Sequence, residues 1–528
     1  MVAAASNRPQ DVARASEPGL DTTIAGSEQT PPPPPPQPPW TVLSEGQKKL
    51  YLIIAAFAAA ISPFSTSTYY PSVVALAQDF NVSVSKINLT ISTYQIFQGI
   101  APTFIAAFAD TFGRRPAYLV CFSIYFCANL GLALQSSYAA LLVLRCLQSS
   151  GSSGTAAIAQ AVTYDLATRG ERGKYLAYAI MAATVGPALG PIAGGLLTQY
   201  LGWRAVFWFL LILGSVICLL IFIAFPETAR PIVGDGSVPP QPWNKSLLQM
   251  LSKESLRQPA NPDSVKVKPR HFNPFTSLIL LKDPENFVLC IAGGFLYAGY
   301  SSVTSVFASQ LQERFQYNEV QVGLCYLPIA FGSLTAGATS ARLIDWSFRK
   351  EATKQGLSVE KNRQTDITHF DTEKARLFYA FPMVALATAL AVGYGWEMQS
   401  RAPLAAILVT VFFLSNALTG ALVANTALLT DINRKNAAAV GAATNLTRCL
   451  LSAGGVAAIT PLINQAGIGW ASTIVATMWA AAGAAFWLVY VQGFRWRVKR
   501  AAKKSERKGQ SKRETEGERS KVVADHVA

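Results

Sequence analysis

Two arginines stand inside long apolar stretches: Arg145 in Arg145-Cys-Leu-Gln148-Ser-Ser-Gly151, and Arg448 in Asn445-Leu-Thr-Arg448-Cys-Leu-Leu-Ser-Ala-Gly454-Gly455. A guanidinium in hydrocarbon costs at least ~2.5 kcal/mol unless it meets a partner or a water-filled space. Arg145 is therefore expected to face a central cavity, the alternative being a side chain that snorkels to a nearby interface. No Asp or Glu lies deep in the same stretches. Two such cations without a buried acid favour anionic or hydrogen-bond-accepting ligands. Arg448 has a second, structural reading, in which it pairs with backbone carbonyls or with Asp431. Gln148, Asn445, Tyr94, Gln98, Tyr297 and Asn416 supply groups that can orient a ligand by hydrogen bonds. Ser65, Tyr69, Gln95, Tyr300 and Asn425 belong to the same set, and any of them can instead be glue between helices.

Other chemistries have little material. The seven cysteines lie in apolar stretches and read as small buried hydrophobes. His271, His369 and His526 sit in polar segments, so neither a metal site nor a catalytic triad is expected, and no cofactor. No Gly-x-x-x-x-Gly-Lys-Ser/Thr phosphate loop is present, which points away from ATP and towards an ion gradient or the solute's own gradient. An enzyme is not expected.

The elements that must hold these residues are set by composition. The chain has 528 residues, 51% of them hydrophobic and only 14% charged, against roughly a quarter charged in a soluble domain. A net charge of +15 would suggest nucleic acid in a soluble protein, but the apolar excess argues for a bilayer partner and no nucleic acid. A hydrocarbon core of about 30 Å needs around 20 apolar residues in a helix. Twelve such runs lie near 50–74, 88–109, 116–135, 138–163, 175–199, 205–226, 285–309, 318–341, 376–396, 403–430, 437–463 and 470–493. They lack the alternation of barrel strands, so the expected fold class is all-α, a polytopic bundle of twelve transmembrane helices.

Alternate loops differ in basic residues. One set carries Arg114 and Arg115; Arg169, Arg172 and Lys174; Lys245 through Lys282; Arg349 through Lys374; Arg434 and Lys435; and the segment from Arg495 onward. The other set has at most one each: Lys86, Arg204, Arg314 and Arg401. The positive-inside rule then puts both termini in the cytosol. Residues 1–44, with Pro31 to Pro36, read as an extended solvated tail rather than a signal peptide. Residues 227–284 read as a cytosolic linker between bundles 45–226 and 285–494, and 495–528 as a basic cytosolic tail. The basic tail is expected to be solvated, binding anionic lipid or nucleic acid being the alternative. Asn81-Val-Ser83 falls in the first outer loop and is a glycosylation acceptor, whereas Asn445-Leu-Thr447 lies inside a span.

The halves repeat. Asp110-Thr-Phe-Gly113-Arg114-Arg115 follows the second span and Asp345-Trp-Ser-Phe-Arg349-Lys350 the eighth; Asp165 follows the fourth span and Asp431 the tenth. Duplicated span units are the architecture of transporters that rock two bundles around a midplane site. A carboxylate at a helix end beside a basic pair can latch one bundle to another.

Three motifs carry a resemblance. Asp110-Thr-Phe-Gly113-Arg114-Arg115-Pro116 resembles the signature loop of the major facilitator superfamily, with Ala106 where the pattern has Gly. Arg145-Cys-Leu-Gln148-Ser149 resembles its Arg-x-x-Gln-Gly motif. Gly186-Pro187-Ala-Leu-Gly190-Pro191-Ile-Ala-Gly194-Gly195 matches the antiporter motif Gly-x-x-x-Gly-Pro-x-x-Gly-Gly at every fixed position. With Pro226-Glu227-Thr228, the chain is similar to the fungal twelve-span drug:proton antiporters, in the branch containing quinidine-resistance, dityrosine and citrate exporters. The resemblance implies a major facilitator fold in two six-helix bundles. It also implies export of small organic molecules by alternating access, protons as the coupling partner, and multidrug resistance at the plasma membrane. The other readings are an exporter of organic acids and a non-transporting membrane sensor.

Overall fold

The computed structural model describes residues 41–167, 172–236, 238–251, 279–354, 371–433 and 437–527. The polyproline tail, Arg169, the middle of the linker, the insertion 355–370, and Arg434 with Lys435 lie outside the described residues. Ten long helices come first: α1 Glu45–Thr68, α2 Val84–Phe112, α3 Arg114–Leu134, α4 Tyr138–Leu166, α5 Arg172–Leu201, α6 Arg204–Ala224, α7 Pro284–Phe315, α8 Leu327–Lys354, α9 Thr372–Gln399 and α10 Leu404–Ile432. The last element, Ala437–Val527, breaks at Gly467 (φ 81°) into α11 (437–466) and α12 (468–527). Short helices Val73–Asp79 and Glu319–Cys325 extend α1 and precede α8.

Local chemistry starts these helices where the polar punctuation falls. Ser44 and Gln47 form a capping box on α1, Ser83 caps α2, and Asp371 caps α9. Pro284 opens α7, at the position where a missing N–H costs nothing. Among the described residues eight helical stretches are long and apolar enough to cross a bilayer, and one of them, Ala439–Arg500, contains the Gly467 turn and so crosses twice. Helices α2 and α4 are more polar because Asn88, Thr90, Gln95, Arg145, Gln148 and Thr155 are turned into the bundle and buried. In a membrane, unlike in water, a polar stripe facing other helices is what holds a bundle together.

Alternate helix ends gather on two faces. The near face holds the start of α1 and the ends of α2, α4, α8 and α10; the far face holds the α2 and α4 starts and the Gly467 turn. In the first half α5 packs on α1, α4 on α2 and α3, and α6 on α3, around Tyr118, Phe122, Tyr125 and Phe225. The second half is built around Phe307, Tyr394 and Trp479, and its core runs on through Tyr69, Tyr70 and Phe207 of the first half. Towards the far face Tyr70 stacks on Tyr326 with centroids 6.0 Å apart, Asn88 Nδ2 donates to Thr460 Oγ1 at 2.7 Å, and the Glu319 amide donates to Gln199.

The linker is not wholly a solvated tether. Residues 230–251 form three short helices, and Asn244 is buried against Glu227. In the basic tail α12 continues as one helix to Val527, and its first arginines, Arg497 and Arg500, reach back to acids at the starts of α9 and α7.

Candidate functional site

Arg145 is enclosed inside the first half rather than turned towards a cavity. It is 0% exposed, and its guanidinium lies over the rings of Tyr69 (4.1 Å) and Tyr94 (4.4 Å). Its Nη1 donates to Gln148 Oε1; Gln148 Nε2 donates to Asn129 Oδ1 at 2.7 Å, and Asn129 Nδ2 to the Tyr125 carbonyl at 2.7 Å. The Tyr69 and Tyr94 hydroxyls meet Thr90 (2.8 Å) and Ser152 (2.8 Å), and Tyr125 meets Ser65 at 2.6 Å. Two aromatic faces and a neutral amide thus serve as its partners in place of the expected central cavity. Nε and Nη2 have no partner among the described residues.

Arg448 is the open counterpart. Partly buried, it lies 4.5 Å over the Tyr297 ring, and its Nη2 donates to Asn445 Oδ1 at 3.0 Å. Neither structural reading from the sequence holds: Asp431 is committed elsewhere, and the partner is an amide three residues back. Asn445 Nδ2 in turn donates to the Gln98 carbonyl at 3.1 Å, joining α11 to α2, and Gln98 Nε2 reaches Ser62 at 3.4 Å. An arginine over tyrosine with an amide one helical turn away therefore occurs once in each half. Asn416 stands apart from this group, tying α10 to α8 through the Gly332 carbonyl (3.2 Å) and Thr335 (2.9 Å).

The near face carries the charged motif. Gly113 has φ +112°, and a Cβ there would run into the Glu227 carboxylate, so glycine is required twice over. Glu227 takes the Arg114 and Arg115 amides at 2.8 and 3.2 Å, those of Thr228 and Ala229 at 2.9 and 2.8 Å, and Asn244 Nδ2 at 2.9 Å. An acid at the start of α3 also complements the helix dipole. Arg114 binds Asp110 and, through Nε, Asp165 at 3.0 Å, while Arg115 donates to the Phe222 carbonyl. These ion pairs join α2, α3 and α4 within one half, and none of them forms the latch from one bundle to the other. Asp165 sits beyond the apolar stretch of α4. Burial pushes its carboxyl up to about 6 while Arg114 pulls it down. As pH falls through that value it takes up a proton and Arg114 keeps Asp110 alone.

The second half repeats this with a different basic residue. Arg376, at the start of α9, binds Asp431 at 2.9 Å and lies 3.9 Å from Asp345, so it takes the place of Arg114 that sequence alignment gave to Arg349 and Lys350. Lys350 instead lies over the Trp346 and Phe378 rings. The signal for Arg376 was its position: like Arg114, it starts the helix that follows an Asp-bearing end.

Helix α5 makes the tightest approach. A Cβ on Gly186 would lie 2.7 Å from the Phe64 amide, one on Gly190 would strike Ser67 Oγ, and one on Gly194 the Thr68 carbonyl. Ser67 Oγ also donates to the Gly186 carbonyl at 2.9 Å. Gly195 faces the Glu319 carbonyl, and Gly323 returns the contact, its Cβ position lying 2.6 Å from the Pro191 carbonyl. The motif is thus a seam joining α5 to α1 on one side and to the short helix Glu319–Cys325 of the second half on the other.

This arrangement of two related halves, with a glycine-proline seam and paired Asp–Arg–Asp clusters, agrees with the comparisons. Residues 55–456 match the sequence profile of the Major Facilitator Superfamily. The chain belongs to the major facilitator superfamily. It is 63% identical over 459 residues to the MFS-type transporter M6 of a Phoma species, covering 87% of this chain and 84% of that one. It is 34% identical over 458 residues to quinidine resistance protein 1 of Saccharomyces cerevisiae, covering 82% and 81%. Its fold is similar to that of the xylose transporter XylE from E. coli, solved in a partially occluded inward-open conformation, with TM-score 0.59, 15% identity, and 84% and 97% of the chains covered. The protein is a multi-pass membrane transporter of a small-molecule substrate.

Proposed function

We propose that this transporter exports small organic molecules, drugs, toxins or secondary metabolites, across the plasma membrane in exchange for protons. The observation that carries this reading is the Gly186–Gly195 seam, whose resemblance is to antiporters and whose glycines bring α5 into backbone contact with α1 and with the short helix before α8. A relative named for quinidine resistance supports it. The basic loops support a cytosolic near face. Residues 45–226 then rock against 285–494, exposing the Arg448, Asn445, Gln98 and Tyr297 region alternately to each side, with Asn416 contributing from α10, apart from that group. Arg145, Gln148 and Tyr94 form the rigid wall behind it, and the Asp110–Arg114–Asp165 and Asp345–Arg376–Asp431 clusters reset the near-face helix ends at each stroke. Asp165, buried and with its carboxyl pushed up to about 6, is an acid suited to sense the proton. A second reading, export of organic acids, is favoured by the partly exposed guanidinium of Arg448.

In inverted membrane vesicles with an acid lumen, labelled quinidine is expected to accumulate and to leak away when a protonophore is added. Labelled organic acids in the same assay separate the two readings. If no compound of either class moves under any proton gradient, the export reading is wrong.

The same orientation puts Asn81 outside, on an exposed turn in left-handed backbone (φ 52°). An N-glycosidase is expected to lower the apparent mass of the native protein and to leave Asn81→Gln unchanged. A glycan attached on a near-face loop would instead invert the topology.

A further inference from the structure

Two acids that sequence reasoning left unassigned meet at the near-face ends of the second half. Glu285, in the first turn of α7, and Glu373, in the first turn of α9, are both 0% exposed. Glu285 Oε2 is held by Arg500 Nη2 at 2.7 Å, and Glu373 Oε2 by Arg497 Nη2 at 3.0 Å, both from α12. Gly493 of the same helix seats them, its Cβ position lying 2.9 Å from Glu373 Cγ and 3.4 Å from Glu285 Oε1. The remaining oxygens, Glu285 Oε1 and Glu373 Oε1, are buried with no donor from any other group, and both acids press on the same point over Gly493, which sets the two carboxyls side by side.

Two ionised carboxylates cannot hydrogen-bond, since each only accepts. One must carry a hydrogen, as in other pairs of acids that share a site. We propose that Glu285 and Glu373 bind a single proton between them, and that this proton fastens α12 to the starts of α7 and α9. The surrounding charges agree. Asp283 takes a second bond from Arg500 at 3.0 Å, and Asp371 faces Glu373 but is bound to Lys374 at 2.9 Å. Asn286 and Asn433, the neighbours from α7 and α10, bond each other and carry no charge. With one proton shared, the three acids Asp283, Glu285 and Glu373 balance Arg497 and Arg500; without it the cluster holds an uncompensated negative charge at a buried contact. The released proton passes to water, and no other bond changes. A proton held more tightly folded than unfolded stabilises the protein at low pH and ceases to do so as pH rises through the pair's titration. This site stands whatever the solute or the direction of transport.

The test is infrared spectroscopy of the purified full-length protein in lipid nanodiscs at neutral pH, read at the carbonyl stretch of a protonated carboxyl, with thermal unfolding followed against pH. The wild-type protein is expected to show the band and to lose melting temperature as pH rises. Glu285→Gln, whose amide donates permanently to Glu373, should fold, lack the band and melt with a flatter pH profile; Glu373→Gln should behave alike. A wild-type spectrum without the band overturns the proposal even if neither variant folds, and so does a band of undiminished area in either variant.

Discussion

Gly194→Ala is expected to reduce transport at least ~10-fold, which corresponds to ~1.4 kcal/mol at the rate-limiting step. The added methyl would strike the Thr68 carbonyl oxygen, a backbone atom that cannot rotate away. Overpacking a close contact typically costs ~1–3 kcal/mol, and here the only relief is to part α1 from α5, which also shifts the neighbouring Gly195–Glu319 contact between the halves. Gly454→Ala is the control, because a Cβ there meets nothing within 4 Å, and helix propensity alone would make it mildly stabilising. Uptake into vesicles, normalised to the protein in the membrane, decides the matter. Equal rates for the two variants would mean that the seam's closeness has no part in the cycle.

Arg145→Ala should be the most damaging single truncation. It removes two ring contacts worth up to ~2 kcal/mol each when desolvated and strips Gln148 Oε1 of its donor, at ~1–3 kcal/mol. Because Gln148 in turn holds Asn129, which donates to the Tyr125 carbonyl, the loss spreads from α4 to α3. Arg145→Lys should rescue little: an ammonium has no planar face to lie between Tyr69 and Tyr94. The expected signature is a lowered melting temperature together with transport near background in both variants. Undiminished flux of an identified solute through Arg145→Ala would remove this residue from the mechanism.

Much of this was legible in the chain. The twelve apolar runs, the Asp-bearing helix ends and the glycine-proline seam follow from rules that act locally: a span needs a set length of apolar residues, and a close approach needs glycine. Arg145, Gln148, Arg448, Asn445, Tyr94, Gln98 and Tyr297 were singled out because a guanidinium in an apolar run demands a partner. Which partner was not legible. The sequence reading looked for a central cavity or a path to the interface, whereas the cation rests on the rings of Tyr69, just past the end of α1, and Tyr94 in α2. Arg376, Glu285, Glu373 and Arg497 escaped notice for a related reason. Each looks like an ordinary helix-end charge, and only the meeting of α7, α9 and α12 encloses three of them together.

By itself, then, the order of amino acids determined that the chain crosses a bilayer as helices in two related halves, since hydrocarbon admits no unpaired backbone and registers each charge along the helix axis. Direction around that axis is another matter. Whether Arg145 meets a ring or water, and whether Arg114 ties together one half or two, depends on neighbours hundreds of residues distant, which only the packed helices bring within reach.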